Sequence, residues 1–550
     1  CTVERNAGDW AGVISVDSAV PGASVVLERS VFRYNSASGG GGVLYAADNA
    51  DVSVSSSVFS GNTASAGYGL GGVFEISSAV LTLDNVTCED NVGSVSGGVA
   101  HLTGSSELAA HRLVARRNLG GSHGGAVFAS GSGTSVVVQA SLIENNMATT
   151  TGAGVYVSDG RLALTDVVLR RNGVTGGLPD TLVGGGVAAS SASSVTIDLC
   201  FFSGNHGYRG GGLSLTSCGS GHVRGSVFED NSVSGATEPA VGAGIVIIGA
   251  SSGVVLVNCT FARNVAEFDG GGISVFDGAP LEVIGSVFDS NSAEAGGALN
   301  VAGTAGSRVV GCSFMHNTAG SVGGALHFDK GSGSLTMTGS VLVGNSASGG
   351  GAVYADEVSN VAFVACNFSG NVASDSAGVL WLDSEPRTHG GIQVRFDSCV
   401  IEHSRGSQGG ALYVEHSGLA LIDSTLGHNS ATRQGGVMYS FIAMIEVLRC
   451  RFESNVLVDA SGGGALYIDL SNAASGAELL PGTTASARIS SSVFVNNTGG
   501  FGGAVAALDS TIHILDSVFE ANVASLPDGG LGGAVSIQGS AGSDAVIANA

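Results

Sequence analysis

The feature that most constrains this chain is a recurring phrase in which phenylalanine precedes asparagine by three positions and a glycine pair follows. The segment SVFDSNSAEAGGALNV at 286–301 contains one copy. Repetition from end to end needs an architectural explanation before a functional one. Eleven copies keep both residues, at Phe32/Asn35, Phe59/Asn62, Phe202/Asn205, Phe228/Asn231, Phe261/Asn264, Phe288/Asn291, Phe314/Asn317, Phe368/Asn371, Phe452/Asn455, Phe494/Asn497 and Phe519/Asn522.

Eight weaker copies replace one or both members of the phrase. One of them, Ile401 with Ser404, has no asparagine. The other seven lack phenylalanine and are Val3/Asn6, Cys88/Asn91, Ala115/Asn118, Ile143/Asn146, Leu169/Asn172, Leu342/Asn345 and Leu426/Asn429. Most of the 19 copies lie 25 to 29 residues apart. We therefore predict about 19 turns of roughly 26 residues each.

Each glycine pair is followed by an alternating segment such as ALHFD, ALYVE or ALYID. Alternation with period two is typical of β-strands, and no segment has a sustained helical period. The leucine spacing of leucine-rich repeats is absent, and a propeller blade needs about 40 residues. The pattern predicts an all-β fold, a single-stranded right-handed parallel β-helix (solenoid) whose turns stack about 4.8 Å apart.

The phrase has a structural interpretation in such a coil. Ser286 and Phe288 lie on one face of a strand, so each phenylalanine is predicted to stack on its equivalents inside the coil. The asparagines are predicted to stand at a corner in a left-handed conformation and to hydrogen-bond the equivalent amide one turn away. The eleven phenylalanines and the eleven asparagines named above are therefore assigned a structural role, and none of them is assigned a catalytic one.

At this point the residues resemble a known family. The pairing of Phe-x-x-Asn with Gly-Gly-Ala-Ile/Leu/Val, repeated over essentially all 550 residues, resembles the chlamydial polymorphic membrane protein repeat. That repeat is part of the broader pectin-lyase-like β-helix superfamily. The resemblance implies a surface-exposed passenger or ectodomain with adhesive roles. Several phenylalanines are replaced, which leaves the organism and the secretion route open.

Composition favours one extended object with an apolar core. The hydrophobic fraction is 44%, and composition barely changes along the chain. We expect one continuous β-helix domain over 1–550. Because its first residues match the middle of the repeat, we expect it to be excised from a longer protein at both ends. Exposed sheet edges at such uncapped ends favour end-to-end self-association.

Charge and hydropathy exclude several partner classes. The net charge of −24 disfavours nucleic acid and anionic membrane surfaces, because phosphate binding requires clustered Lys and Arg. No apolar run approaches the roughly 18 residues that a membrane helix needs. We therefore expect no nucleic acid partner and no direct insertion of this segment into a membrane.

The nine cysteines show no zinc-binding spacing. We expect buried free thiols, since unpaired cysteine is among the most buried residue types. The alternative is a disulfide between adjacent turns, for which Cys366 and Cys399 are the best pair and Cys200 with Cys218 a second. Six cysteines precede the phenylalanine position by two residues, where other copies have serine: Cys200, Cys259, Cys312, Cys366, Cys399 and Cys450.

Histidines and acids form no recognisable site in the sequence. His316, His403 and His428 precede the corner position, and acids such as Glu89 and Asp90 recur on the same outward side. A solvated surface is the simpler interpretation, because the calcium-binding nonapeptide repeat is absent. No cofactor or metal is predicted. Candidate glycosylation sequons, compatible with an ectodomain, lie at outward positions at Asn85, Asn258, Asn367 and Asn496.

Three functions stay open at this stage. We expect a non-catalytic extracellular or cell-surface ectodomain, a stalk and adhesion platform for cell-surface glycans or proteins. The alternatives are a polysaccharide lyase or hydrolase of the pectin-lyase-like superfamily and a purely structural coat. Such enzymes need a base beside a cation, or two carboxylates at a defined separation, and no such cluster stands out in the sequence. Carboxylates that face one another across neighbouring turns would escape a one-dimensional search.

Recognition is expected where the repeat is interrupted, because repeat insertions tend to gather on one binding face. Tolerated surface loops are the alternative, since long insertions cost little closure entropy. The links between corner and glycine pair lengthen at 64–70, 173–183, 232–241, 456–461 and 523–531, and a separate edge carries 383–389 and 472–487.

Overall fold

The structure is a computed structural model in which every element is a β-strand. It describes residues 1–17, 22–65, 67, 69–176, 183–235, 239–249, 253–277, 280–303, 306–358, 360–384, 393–458, 462–470, 486–525, 530–539 and 545–548. No helix occurs in these ranges. The strands form two compact units, Cys1–Pro280 and Leu281–Ala550.

A turn of the coil contains four short strands in a fixed order. In the second unit, the first turn has a lead strand Leu281–Ile284, a Phe strand Val287–Asp289, a corner strand Ser292–Ala295 and a GGA strand Leu299–Ala302. Each pairs in parallel with its equivalent one turn later, so that Phe288 lies opposite Phe314. Successive turns of one chain therefore stack as a parallel β-helix, which confirms the predicted fold class.

The strands of the first unit have the following bounds. Its lead strands are Ser24–Glu28, Asp51–Ser55, Val80–Asp84, Glu107–His111, Ser194–Asp198, Gly221–Arg224 and Val254–Val257. Its Phe strands are Thr2–Glu4, Val31–Arg33, Val58–Ser60, Thr87–Glu89, Val114–Arg116, Phe201–Ser203, Val227–Glu229 and Thr260–Ala262, and two strands serve as lead and Phe strand together, Ser135–Glu144 and Arg161–Arg170. Its corner strands are Ala7–Gly8, Ser36–Ala37, Thr63–Ala64, Val92–Gly93, Leu119–Gly120, Met147–Ala148, Gly173–Val174, His206–Gly207, Ser232–Val233 and Val265–Ala266. Its GGA strands are Ile14–Val16, Leu44–Ala47, Phe74–Ser77, Ala100–Thr103, Val127–Ser130, Val155–Ser158, Val187–Ser190, Leu213–Thr216, Ile245–Ile248 and Ile273–Phe276.

The second unit repeats the same order after its first turn. Its further lead strands are Gly306–Val310, Ser334–Thr338, Val361–Val364, Val394–Asp397, Gly418–Ile422, Met444–Leu448, Ser486–Ser490, Thr511–Leu515 and Ala545–Ala548. Its further Phe strands are Ser313–Met315, Val341–Val343, Asn367–Ser369, Val400–Glu402, Thr425–Gly427, Arg451–Glu453, Val493–Val495 and Val518–Glu520. Its further corner strands are Thr318–Val322, Ser346–Ala347, Val372–Ala373, Arg405–Gly406, Ser430–Ala431, Val456–Leu457, Thr498–Gly499 and Val523–Ala524. Its further GGA strands are Leu326–Phe328, Val353–Asp356, Leu380–Asp383, Leu412–Glu415, Met438–Phe441, Leu466–Asp469, Val505–Leu508 and Val535–Gln538.

The corner asparagines form a ladder of amides inside each unit. The Oδ1 atom of Asn345 accepts hydrogen bonds from the backbone N–H and from the Nδ2 group of Asn317, both at 3.0 Å. The Nδ2 group of Asn345 also donates to the carbonyl of Phe314 at 3.0 Å. In the first unit, Asn62 and Asn91 repeat this geometry. The corner asparagines from Asn35 to Asn264 and from Asn291 to Asn497 are at most 1% exposed, and each bond adds about 1 kcal/mol of stability.

The ladder continues to the last corners of each unit. In the first unit, Asn205 donates from Nδ2 to Asn231 Oδ1 at 3.0 Å, and Asn231 donates in the same way to Asn264. In the second unit, Asn455 donates to Asn497 Oδ1 at 2.9 Å. The last corner, Asn522, accepts from Asn497 at 2.9 Å but is half-buried, unlike the corners before it.

The predicted backbone conformation of the corner is wrong in one respect. The positive φ belongs to the residue before the asparagine, as at Ser290 (φ 57°) and His316 (φ 53°), and not to Asn291 or Asn317 themselves. A single left-handed residue puts a bend between two strands. The next side chain, that of the asparagine, is thereby directed into the coil, where it meets the neighbouring amides.

The same correction applies to all eleven asparagines of the full phrase. Each follows a residue whose φ lies between 52° and 64°, and none has a positive φ of its own. The corrected asparagines are Asn35, Asn62, Asn205, Asn231, Asn264, Asn291, Asn317, Asn371, Asn455, Asn497 and Asn522, and the left-handed residues before them are Tyr34, Gly61, Gly204, Asp230, Arg263, Ser290, His316, Gly370, Ser454, Asn496 and Ala521.

The phenylalanines stack inside each unit. Ring centroids are 4.5 to 5.1 Å apart in the pairs Phe32/Phe59, Phe202/Phe228, Phe228/Phe261, Phe288/Phe314, Phe452/Phe494 and Phe494/Phe519. Phe368 lies between Leu342 and Ile401 in register, and its ring packs edge-on against Phe363 and Phe396 of lead strands. Ten of the eleven rings are at most 3% exposed, and Phe519 is half-buried.

The glycine pair is required by the close approach of neighbouring turns. A Cβ atom on Gly323, which has a φ of 64°, would lie 2.2 Å from the carbonyl oxygen of Leu326. A Cβ on Gly324 would lie 2.2 Å from the carbonyl oxygen of Gly351 in the next turn. Real Cβ atoms do not approach backbone oxygens this closely, so only glycine fits both positions.

A second polar ladder runs through the serine and cysteine positions that precede the Phe strands. Ser340 Oγ accepts the backbone N–H of Cys312 at 3.1 Å and donates to the carbonyl of Thr338 at 3.1 Å. Ser226 accepts from Cys200 in the same way in the first unit. The sequence predicts these positions as small core residues only, and their hydrogen bonds between turns were missed.

All nine cysteines lie within the described residues; eight are buried and Cys1 is exposed. The structure contains no bond between the sulfurs of either candidate pair, and the two pairings stay predictions. Cys366 and Cys399 precede paired strands on adjacent turns, and their thiols donate to the backbone carbonyls of Val364 and Asp397. Cys200 and Cys218 stand at different corners: Cys200 donates to the carbonyl of Asp198 before a Phe strand, whereas Cys218 donates to that of Ala189 beside the GGA strands.

Replacing Asn345 by alanine should destabilise the coil. The change leaves the N–H and Nδ2 groups of Asn317 and the carbonyl of Phe314 without partners in a buried place. We expect the free energy of local unfolding to fall by about 2–4 kcal/mol, measured by amide hydrogen exchange around this turn. Asn496→Ala is the matched control, because Asn496 is exposed. An equal loss in both variants would contradict the importance of the ladder.

Replacing Ser404 by asparagine should strengthen the one turn that lacks the amide. Ser404 is fully buried, and its N–H donates to Asn429 Oδ1 at 3.0 Å, but its hydroxyl bonds to the carbonyl of Glu402 and not to Asn371. An amide there would accept from Asn371 and stabilise the turn by about 1–2 kcal/mol. Urea denaturation and hydrogen exchange measure the gain, with Ser404→Ala as the control. A lower stability of Ser404→Asn would show that the pocket is too small.

Candidate functional site

The outward face of the GGA strands in the second unit carries a row of rings. Alternate residues of a strand point to opposite faces. In the strand Leu326–Phe328, therefore, Leu326 and Phe328 fill the coil while His327 points outward. Six successive turns place a ring at this second position, which we call the ring stripe: His327, Tyr354, Trp381, Tyr413, Tyr439 and Tyr467.

The rings of the stripe contact one another. Successive ring centroids are 5.0 to 6.0 Å apart, and Tyr413 and Tyr439 are nearly parallel with an interplanar angle of 2°. Tyr413, Tyr439 and Tyr467 are only 7–9% exposed although they point outward. Ala377, from a segment between a corner strand and a GGA strand, packs against them together with Phe501. The stripe is thus a second, smaller apolar layer outside the coil.

A row of carboxylates lies beside the rings, which we call the acid stripe: Asp356, Asp383, Glu415 and Asp469. Each follows a ring by two residues on the same strand face. Tyr413 donates its hydroxyl to Glu415 Oε2 at 2.8 Å, and Tyr439 donates to Asp469 Oδ2 at 3.3 Å. Tyr413 and Tyr439 therefore hold Glu415 and Asp469 in fixed positions along the coil.

Burial and mutual repulsion alter the acidity of this surface. Burial, and then the carboxylate of Asp383, raises the pKa of Asp356 above its ordinary value. The pKa of Asp383 is raised by burial and then by Glu415, and burial followed by Glu415 also raises the pKa of the Tyr413 hydroxyl. Asp356 and Asp383 are thus each destabilised by the next carboxylate along the stripe, so that a ligand with hydrogen-bond donors or positive charge would relieve the repulsion.

In the first unit, a buried carboxyl group occupies the strand position that the rings occupy in the second unit. Glu75 lies in register between Tyr45 and His101 and is 6% exposed. Its Oε2 atom has no hydrogen-bond partner among the described residues. Burial raises the pKa of Glu75 to about 7. Burial also lowers the pKa of His101 to about 4, and its Nδ1 lies 2.6 Å from Ser96 Oγ. Both groups are therefore uncharged at mildly acidic pH.

The charged residues around the corners mostly pair with each other. Arg117 Nη2 lies 3.1 Å from Glu89 and 2.8 Å from Asp90, one turn away, and these contacts lower the pKa of Asp90. Arg263 repeats this with Glu229 and Asp230. The histidines that precede the corner are exposed, and the rings of His403 and His428 stack at 5.0 Å. These outward acids are thus compensated across turns.

The four sequon asparagines are not equivalent. Asn85, Asn258 and Asn496 are exposed, each with a positive φ at a turn between strands. Asn367 is the first residue of a Phe strand and is half-buried, and its Oδ1 atom is buried without a partner within the described residues.

The lengthened segments, where recognition is expected from the sequence, lie partly or wholly outside the described residues. They are 64–70, 173–183, 232–241, 456–461, 523–531, 383–389 and 472–487.

Comparison with known proteins agrees with the geometry. A family model described as right handed beta helix region matches residues 97–288 and 240–368. The chain is a right-handed parallel β-helix. The match and the coil together support the pectin-lyase-like β-helix superfamily, a group defined by fold and not by one activity. No curated protein matches this β-helix.

Two further findings concern membranes and metals. Within the ranges covered by the structure, the β-helix has no helix of the length and apolarity needed to cross a membrane. Within those same ranges, no three His, Cys, Asp or Glu side chains are grouped so that they could hold a metal ion.

Sequence reasoning missed the ring stripe, the acid stripe and Glu75. The segments ALHFD, ALYVE and ALYID contain a ring and an acid two residues apart, which is the signal that identifies the stripes. That signal predicts only a strand until the register between turns is known. Glu75 occurs in GGVFEIS, where no repeated pattern marks it.

Glu75 should make the stability of the first unit depend on pH. Because its pKa in the folded chain exceeds that in the unfolded chain, the folded state retains a proton that the unfolded state loses. The stability that it contributes is complete below about pH 4.5 and is lost as the pH rises through 7. Glu75→Gln should therefore be more stable than the natural chain at pH 8, by up to about 3 kcal/mol, and similar at pH 5.

Thermal melts between pH 5 and pH 8.5 measure this difference. Glu107→Gln is the matched control, because Glu107 is exposed on a lead strand. Parallel pH profiles for Glu75→Gln and the natural chain would show that Glu75 ionises without cost.

Proposed function

We propose that this β-helix is the ectodomain of a surface or secreted protein and acts as a non-catalytic stalk and recognition platform. The residues of the recurring phrase form their contacts and hydrogen bonds with equivalent residues of neighbouring turns. The phenylalanines stack, and the corner amides form hydrogen bonds between turns. The serines that precede the Phe strands also form hydrogen bonds between turns. Such residues hold a scaffold together and leave ligand chemistry to the outward side chains.

The observation that carries recognition is the pairing of the ring stripe with the acid stripe. Asp356 and Asp383 stand on adjacent turns, about 4.8 Å apart along the coil. Three half-buried carboxylates on consecutive turns, Asp356, Asp383 and Glu415, suit an extended ligand that presents hydroxyl or amine donors at similar intervals. Cell-surface glycans and the side chains of a partner protein both have this chemistry.

The remaining parts of the proposal follow from charge and from the resemblance to polymorphic membrane proteins. A net charge of −24 favours neither nucleic acid nor anionic membranes as partners. An extracellular or cell-surface location and an adhesive role are what the resemblance implies. Open sheet edges on uncapped pieces would associate end to end, since each turn is built to pair with another.

A second candidate function is polysaccharide hydrolysis at the acid stripe. Glycosidases use two carboxyl groups about 5 Å apart, or about 6.5–9.5 Å apart when they invert, and one of the two has a raised pKa. Asp356, Asp383 and Glu415 offer adjacent carboxyls, and the pKa values of Asp356 and Asp383 are raised. This arrangement is what keeps the enzymatic alternative open.

One experiment separates the candidates. The full chain is incubated with a panel of polysaccharides and with cells, and both binding and the release of reducing or unsaturated ends are measured. We expect saturable binding without turnover. The double variant Asp356→Asn with Asp383→Asn should weaken binding about tenfold, because about 1.4 kcal/mol of carboxylate contacts is lost. Asp289→Asn, on a Phe strand away from the stripe, should bind normally.

Other results would favour other functions. Release of sugar ends that disappears in Asp383→Asn would establish a hydrolase and overturn the non-catalytic proposal. Neither binding nor turnover would leave a structural coat as the better explanation. Binding that is unchanged in the double variant would place recognition outside the acid stripe.

A further inference from the structure

A cavity of about 390 Å³ lies on the first unit, where lead strands bend into Phe strands. Its floor is apolar and consists of the outward side chains Val114, Leu142 and Val168 on three successive turns. Its rim is polar and includes Asn85, Arg112 and Asp166. A mixed surface of this kind binds molecules that have both an apolar face and hydroxyl groups.

The cavity exists because one turn residue is small. Asn85, Arg112, Ala140 and Asp166 occupy the same bend on four successive turns, with φ values of 54°, 53°, 47° and 54°. Ala140 carries only a methyl group between the longer side chains of Arg112 and Asp166. The gap above Ala140 lies two turns from Asn85, or about 10 Å along the coil.

Asn85 is also the acceptor residue of a sequon. Asn85-Val86-Thr87 satisfies the pattern Asn-x-Ser/Thr. The Asn85 side chain is exposed, and its Nδ2 group makes one long hydrogen bond of 3.4 Å, to Ser56 Oγ. The amide can therefore carry a substituent without disturbing the coil, and that substituent would begin at the edge of the cavity.

We infer that Asn85 carries an N-linked glycan whose first two sugars lie in this cavity. The inference rests on the extracellular location in the proposed function. In the transfer step, a bond forms between Asn85 Nδ2 and C1 of the first sugar. The donor is an oligosaccharide linked to a polyprenyl diphosphate, and its bond from C1 to the diphosphate breaks. The diphosphate leaves with the electron pair, and the amide loses one proton.

The rim has the chemistry that a sugar requires. No hydrogen bond or ion pair engages the Asp166 carboxylate among the described residues, so it is free to accept from sugar hydroxyls. Arg112 Nη2 is held by both oxygens of Asp84 at 2.8 and 2.9 Å, which fixes the guanidinium at the edge of the cavity. The apolar floor meets the C–H face of a pyranose ring.

The other sequons provide internal references. Asn258 occupies the same kind of bend with a φ of 53° and is exposed, but it does not line this cavity. Asn367 is half-buried and its Oδ1 atom is enclosed, so a glycan there would disrupt the Phe strand. Asn85 thus lies at the edge of this cavity, whereas Asn258 does not line it and Asn367 is enclosed.

The test expresses the full chain behind a secretion signal in a eukaryotic host. Glycopeptide mass spectrometry measures occupancy at Asn85. A peptide N-glycosidase then measures the rate of glycan release from the native and from the denatured chain. We expect Asn85 to be occupied, and its glycan to leave the native chain about tenfold more slowly than the Asn258 glycan, the factor that about 1.4 kcal/mol of contacts provides.

Ala140→Leu supplies the matched control. The equivalent bend holds leucine at Leu199, with a φ of 54°, so the turn tolerates the larger residue. The variant keeps the sequon but fills the cavity, and it should restore fast release from Asn85. An unmodified Asn85, equal release from the native chain at Asn85 and Asn258, or no effect of Ala140→Leu would overturn the inference. Mass and release rates do not depend on ligand binding by the second unit, so failure here is separable from failure of the proposed function.

Discussion

The hydrogen bonds between corner asparagines of successive turns are the interaction on which the rest of the structure depends. An amide buried at the corner of a single turn would lack partners, at a cost of about 1–3 kcal/mol. Only an equivalent amide one turn away removes that cost. The ladder therefore fixes the register between turns, and the register places Phe288 on Phe314 and Ser340 beneath the N–H of Cys312. Stacking of the rings follows from the position of the amides.

The two sides of each strand have separate tasks. Inward residues form repeated contacts that differ little from turn to turn, so substitutions such as Leu342 for phenylalanine change the packing but not the path of the chain. Outward residues are not constrained by this repetition. On the GGA strands they include rings in one stretch, as at Tyr413 and Tyr439, and a buried acid in another, at Glu75. A uniform interior thus carries a surface whose chemistry varies along the coil.

Sequence alone predicts the parts of this fold that repeat. The Phe and Asn positions and the alternating strands recur often enough to identify the coil. The predicted conformation of the corner was wrong because the left-handed residue varies in type, from Ser290 to His316, and so has no compositional signal. The stripes were missed for another reason. Trp381 and Tyr413 are 32 residues apart, whereas His327 and Tyr354 are 27 apart, so their contact is apparent only once the register is known.

The direction of the amide ladder has a consequence for the length of the coil. Within a unit, each corner Asn that is followed by another donates from its backbone N–H and Nδ2 to the oxygen of that Asn, as Asn291 does to Asn317 and Asn317 does to Asn345. Junctions of this kind, unlike the one between Asn371 and Ser404, therefore join the same donor surface to the same acceptor surface. Loss or duplication of one complete repeat regenerates an identical junction, whereas loss of a partial repeat does not. Evolution can thus lengthen or shorten the reach of such a coil in steps of about 4.8 Å without inventing a new contact.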